Sequence, residues 1–144
     1  MGHMCSYDDL IKHLTPEESF EKLRGEQLGR VVVRRSDEME IFPVNYVVDE
    51  KNNIYFRSAE GSKLFTIALN HEVLFEVDSH TEETAWSVVV KGDAEVVQDL
   101  DEIHRADALP LRAWIPTLKY NYVRITAEKV TGRAFQLGEE PERY

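Results

Sequence analysis

Apolar and polar residues alternate at every second position in several stretches of this chain, and helical spacing replaces that alternation in a few short ones. "GRVVVRR" (29–35) is a short β-branched run, "SDE" turns the chain, and "MEIFPVNYVV" (39–48) is a second run. "DEKNN" (49–53) turns into "IYFRS" (54–58). "EVLFEVD" (72–78) alternates like a half-buried strand, and "AWSVVVKGDAEVVQ" (85–98) is a long strand in which Gly92 marks a bulge or bend. "YNYVRITAEKVTGRAF" (120–135) supplies one or two more strands. Thr15-Pro16-Glu17-Glu18 instead reads as a capped helix start, with Leu14, Phe20 and Leu23 on its apolar side and Gly25 at its end. Residues 61–69 put Leu64, Phe65 and Ala68 on one side of a short helix, and 99–109 form another that starts at Asp99 or Asp101. Six or seven strands with a few short helices, no repeat and no linker predict a closed antiparallel barrel.

The 144 residues fit one domain with its own core. Met1-Gly2-His3-Met4 reads as a cloning remnant, which leaves residues 5–144 as the domain. No apolar run approaches the roughly 20 residues of a membrane span. One cysteine, Cys5, makes no internal disulfide and favours a reducing cytoplasm. A formal charge of −10 argues against general nucleic-acid binding, so the expected partners are small molecules or further copies of the chain.

Familiar catalytic patterns are missing. The sequence contains no GxGxxG, no Walker-type GxxxxGK[ST], no HExxH and no nucleophile elbow. His71-Glu72 and Asp78-x-His80 fall at strand boundaries, where polar surface residues are expected, so neither is read as a metal site. No side chain is assigned as catalytic.

Two stretches do carry chemistry. "FRSAEGSKL" (56–64) gathers Arg57, Lys63, Ser58 and Ser62 around Gly61, at the exit of a strand and the start of a helix. A glycine turn can converge N–H groups, the helix start favours an anion, and guanidinium, ammonium and hydroxyl donors suit a phosphate monoester. The same residues also serve as a helix cap flanked by solvated charges. In "IFPVNYVV", Pro43 cannot donate to a ladder and so belongs to an edge, a bulge, or a place where something other than a strand lies alongside. Backbone groups left free at Phe42, Pro43, Val44 and Asn45 would suit the polar edge of a flat heterocycle. An edge proline that deters aggregation fits equally well.

"EIFPVNYVVDEKNNIYFRSAEGSKL", "VLFEVD", "AWSVVVKGDAEVV" and "YVRITAEKVTGRAF" together resemble the pyridoxamine 5′-phosphate oxidase-like flavin-binding split barrels, above all the small bacterial members. The likeness runs from about Leu28 to Phe135. It implies a six-stranded antiparallel split barrel that forms a homodimer with FMN in grooves at the interface. Phe42 to Asn45 would flank the flavin ring, while Arg57, Ser58, Ser62 and Lys63 hold its phosphate beside Leu64. Trp86, Ser87 and Val88 would lie near the ring and ribityl chain, and Trp114 would approach from the second subunit or serve as a core or interface residue. The resemblance implies an FMN-dependent oxidoreductase of unknown substrate, with hydride passing through the flavin. A deazaflavin (F420) reductase and a non-catalytic flavin- or haem-binding module remain as alternatives. True pyridoxamine phosphate oxidases carry a basic Arg-x-His segment near the C-terminus; "VTGRAFQLGEEPERY" has none, which puts vitamin B6 oxidation in doubt.

Overall fold

The computed structural model describes residues 10–35, 37–59, 71–111 and 120–138. In these residues seven strands and two helices follow in the order β1 (Ile11–Leu14), α1 (Pro16–Arg24), β2 (Leu28–Arg35), β3 (Glu38–Val48), β4 (Ile54–Ala59), β5 (Glu72–His80), β6 (Thr84–Val96), α2 (Leu100–Asp107) and β7 (Tyr120–Gln136). The helix expected over 61–69, Cys5 and the acidic C-terminal residues 139–144 lie outside them.

Every strand pairing is antiparallel, and the sheet closes on itself in the order β7-β4-β3-β2-β5-β6, with β6 returning to β7. Closure removes most of the edges that an open sheet would present. One strand of the seven was not expected from the sequence. Leu14, read there as part of a helix face, ends β1, where it pairs with Gly132 of β7. Two of the four β1 residues, Lys12 and His13, are exposed and polar, too weak an alternation to stand out. The segment 120–135 forms a single strand rather than two, and the β6–β7 register shifts between Lys91 and Gly92, where the bulge was expected.

Alternation along the strands fills the interior. Val31, Val44, Tyr46, Phe56, Phe75, Val88 and Ile125 point inward and pack into one core. Phe56 and Phe75 are fully buried, each contributing about 1.5–3 kcal/mol by leaving water. Helix α1 covers one end of the barrel with Phe20 and Leu23. Thr15 and Glu18 exchange both bonds of the capping box, and Tyr46 donates its hydroxyl to the Leu23 carbonyl at 2.6 Å, tying the helix end to β3. Burial pushes the Tyr46 hydroxyl well above its usual pKa, so it stays a donor.

On the outer wall, Arg30 of β2 lies between Pro43 of β3 and Glu76 of β5 in the cross-strand register. Its Nη1 donates to Glu76 at 2.9 Å and to Asp78 at 3.2 Å. Burial, then the hydrogen bond and charge of Asp78, push the Glu76 carboxyl up to about 7, and Arg30 offsets this only in part.

Two predictions follow from this packing. A methyl group at Gly132 would run into the Ser19 hydroxyl and stand 2.9 Å from Leu14 Cβ. Gly132→Ala should therefore cost about 1–3 kcal/mol in urea unfolding, while Gly138→Ala, with open space around it, should stay within about 0.5 kcal/mol of wild type. Folding also raises the Glu76 pKa, so between about pH 4.5 and pH 7 the folded chain holds a proton that the unfolded chain has released. That contribution to stability is complete in acid and fades as pH rises through 7. The melting temperature should thus fall more between about pH 5 and pH 8 in wild type than in Glu76→Gln, and parallel pH curves would refute the assignment.

Candidate functional site

β3 and β4 begin as neighbours and then part. They pair at Val48–Ile54, Val47–Tyr55 and Tyr46–Phe56, and no further pair follows, although β3 runs back to Glu38 and β4 on to Ala59. β3 stays with β2 from Asn45 to Glu38, while β4 stays with β7 from Ile54 to Ala59. Between them lies a gap in the barrel wall that no described strand fills.

Pro43 sits on the β3 side of this gap. Tyr46 donates its N–H to the Gln27 carbonyl at 3.0 Å, on the β2 side. Strand alternation then turns the backbone of Phe42 and Val44 toward β2, and that of Ile41, Pro43 and Asn45 toward the gap. The missing N–H of Pro43 costs no ladder bond there, and no strand among the described residues takes up its carbonyl. The Asn45 amide donates to the Gln27 carbonyl at 3.3 Å. Among the side chains, Phe42 and Val44 belong to the core, whereas Pro43 is exposed and Asn45 half-buried.

Arg57 occupies the opposite side. Tyr55 and Arg57 leave β4 on the outer face, while Phe56 and Ser58 point inward and are buried. Arg57 and Ser58, neighbours in sequence, thus lie on opposite faces of the wall. The Arg57 guanidinium stands 4.3 Å from the centre of the Tyr120 ring and 5.6 Å from that of Tyr122, and the two rings meet edge to face at 5.4 Å. Such contacts favour the cation by about 0.5–2 kcal/mol. Its Nη2 approaches the Tyr122 hydroxyl oxygen at 3.4 Å, and that hydroxyl donates to Asp107 Oδ1 at 2.5 Å. Burial first, and then Asp107, raise the Tyr122 pKa. Arg57 Nε is buried without a hydrogen-bond partner.

Helix α2 locks this corner. Asp99 caps its start, and Asp107 stands at its end. Glu102 accepts from the Tyr55 hydroxyl at 2.7 Å and takes Arg124 Nη1 on both oxygens. Burial alone would raise the Glu102 carboxyl, but the bonds from Arg124 and Tyr55 outweigh it and hold the pKa below the usual range. A cleft of about 600 Å³ runs beside α2, lined by Lys51, Tyr55, Glu102, Arg105 and Arg124.

The remaining candidates fall elsewhere. Trp86 packs against the core with Lys22 of α1 6.0 Å from its ring centre, and Val88 is fully buried. Ser87 lies opposite Asp78 of β5, three strands from β3 and so about 14 Å around the wall at roughly 4.8 Å per strand. Ser62, Lys63, Leu64 and Trp114 lie outside the described residues. Arg133 pairs across β7 with His13 and Ser87, at the far end of that strand from Arg57. Sequence reasoning missed Tyr120, Tyr122 and Asp107. "YNY" does signal two rings on one strand face, but nothing local shows that Arg57 will meet those rings.

A buried donor without an acceptor, a cation bordered by aromatic faces, and a strand edge that no described strand pairs suit an anionic, flat, hydrogen-bonding ligand. A crystal structure of a Corynebacterium glutamicum protein, provisionally named a pyridoxamine 5′-phosphate oxidase, is 58% identical, covers 94% of this chain and 100% of its own, and superposes with a TM-score of 0.85. An FAD-binding protein of Mycobacterium smegmatis is 38% identical over 88% of this chain and 100% of its own, with a TM-score of 0.80. An FAD-binding protein of Mesorhizobium loti is 25% identical over 87% and 98%, with a TM-score of 0.73. An uncharacterised Mycobacterium tuberculosis protein is 40% identical over 90 residues, which are 62% of this chain and 82% of its own. No helix among the described residues is long and apolar enough to cross a membrane. The family model described as pyridoxamine 5′-phosphate oxidase matches residues 15–134, and the chain belongs to that family.

Proposed function

We propose that this protein binds FMN where β3 and β4 part, and that it is a flavin-dependent oxidoreductase acting on a small molecule. The observation that carries this reading is Arg57 of β4, the strand that borders the gap, whose Nε is buried and unpartnered and whose guanidinium has aromatic faces beside it. Two proteins named for FAD binding, at 38% and 25% identity, support a flavin ligand. They also favour a second reading, in which the same phosphate anchor takes FAD.

A bound flavin supplies the hydride acceptor and donor, and the chain's residues bind and orient it. Arg57 and Lys63 would neutralise the phosphate beside Leu64, and Ser62 would add a hydroxyl donor. The gap-facing backbone of the Phe42–Asn45 stretch, the Pro43 carbonyl included, would hold the ring's polar edge. Ser58 and Val44 back the site from inside, as do Phe42 and Val88, and none of these four needs to touch the ligand through its side chain.

The site is completed by a second copy of the chain. Met39 and Ile41, each 63% exposed, stand on β3 beside the gap, with Leu74 of β5 on the same outer wall. Ile41 and Leu74 both pair with Val32, and a hollow of about 370 Å³ opens there. Exposed apolar residues grouped along a strand edge mark an interaction surface. Pairing around a two-fold axis through this wall lets the Trp86–Ser87 strand, and Trp114, approach the partner's flavin.

Purified protein should be yellow and release FMN on heating; release of FAD selects the second reading, and release of F420 or haem overturns both. Arg57→Met with Lys63→Ala should raise the FMN dissociation constant at least about 100-fold while lowering the apo-protein melting temperature by only a few degrees. Equal losses of affinity and stability would return the turn to a structural role. Sedimentation should show a dimer that Ile41→Glu converts to a folded monomer, and a wild-type monomer that binds FMN tightly would sink the interface.

A further inference from the structure

We propose that His71, Asp93 and Glu95 form a binding site for a divalent transition-metal ion, on the outer wall and independent of the flavin site. The backbone brings the three together. Asp93 and Glu95 stand two apart on β6 with Ala94 buried between them, so both carboxylates share the outer face. His71 precedes β5 and lies opposite Ala94, its carbonyl accepting from the Ala94 N–H. Its backbone takes φ 53°, and its Nδ1 sits 3.2 Å from the Ala94 carbonyl. A carbonyl only accepts, so in the neutral ring Nδ1 carries the proton and Nε2 offers a lone pair to a metal, the arrangement in which a backbone carbonyl orients a ligating histidine. Ligand atoms of the three residues lie within 4.8 Å of one another. Donors around an ion at about 2.1 Å stand roughly 3.4 Å apart, a closure that side-chain torsions on a fixed β5–β6 ladder can make.

Charge favours a cation here as well. Glu72 faces Asp93 directly across the ladder, and like charges so placed repel. Lys91 is engaged with Glu72 at 3.3 Å. Arg124 reaches Glu95 with Nη2 at 2.9 Å, but its Nη1 is held by both oxygens of Glu102. Four acids, Glu72, Asp93, Glu95 and Glu102, thus share two cations, Lys91 and Arg124, and the cluster beside the imidazole keeps an excess of negative charge. One nitrogen and two oxygen donors suit zinc and its neighbours in the first transition row better than magnesium or calcium, which take oxygen ligands. The second oxygen of Glu95 can turn to the ion while the first keeps Arg124. The bound ion would fasten the start of β5 to the end of β6.

Calorimetric titration of the full chain with Zn²⁺ tests this, with Mg²⁺ as the comparison. The expected result is one site for Zn²⁺, no heat from Mg²⁺, and at least a tenfold loss of Zn²⁺ affinity in both His71→Gln and Asp93→Asn. A His3→Gln variant should bind as wild type does, and the His71 Nε2 resonance should shift on Zn²⁺ addition. Absence of Zn²⁺ binding in wild type, unchanged affinity in the His71→Gln/Asp93→Asn double variant, or loss of binding in His3→Gln would each overturn the site. Wild-type circular dichroism spectra of the variants exclude unfolding as the cause of any loss.

Discussion

A strand has two edges, and the whole architecture turns on how β7 uses both. One edge is taken along nearly its full length by β6, from Val123 to Gln136. The other is divided: β4 pairs with Tyr120–Ile125, and β1 with Gly132–Phe135. Because β4 is drawn onto β7 while β3 is held by β2, the two must separate once they leave the turn at 49–53. That turn is firmly made, with Asp49 accepting from the N–H groups of Lys51 and Asn53 and with Asn52 at φ 65°. The parting is thus a consequence of strand pairing on both sides rather than a local loosening, and it creates the candidate site.

Much of this was legible in the sequence because it is written in local chemistry. Pro43 announces a broken ladder edge, Gly92 a register shift, Thr15 and Glu18 a helix start, and each stands where those rules require. Other features rest on pairings between residues distant in sequence. Arg57 meets Tyr122 because β4 and β7 are neighbours 65 positions apart, and no pattern within β4 specifies that neighbour. The same gap in information hid β1, whose four residues are fixed by β7 rather than by their own alternation. Strand periodicity does show that Arg57 and Ser58 must face opposite sides, a constraint that a purely motif-based grouping of the turn overlooks.

Overall acidity and local basicity are reconciled on the outer wall. Arg30 is taken by Glu76 and Asp78, Arg124 by Glu95 and Glu102, and Lys91 by Glu72. These pairs are partly or largely exposed, so each adds little to stability. Their effect is to consume the positive charge on the surfaces they occupy. No ion pair to Arg57 is found among the described residues, and its neighbours are rings and a hydroxyl.

Asp107 is the obvious candidate to quench Arg57, and the geometry shows why it does not. The Tyr122 hydroxyl stands between them, giving its proton to Asp107 and its oxygen to Arg57. A neutral relay of this kind lets the carboxylate orient the guanidinium without contacting it, and the high Tyr122 pKa keeps the relay protonated near neutrality. Direct contact would have formed a closed ion pair with little further pull on an anion. Removing the acid entirely would have left the hydroxyl free to rotate and the arginine unguided. The interposed tyrosine therefore leaves the cation fixed in place without closing it into an ion pair.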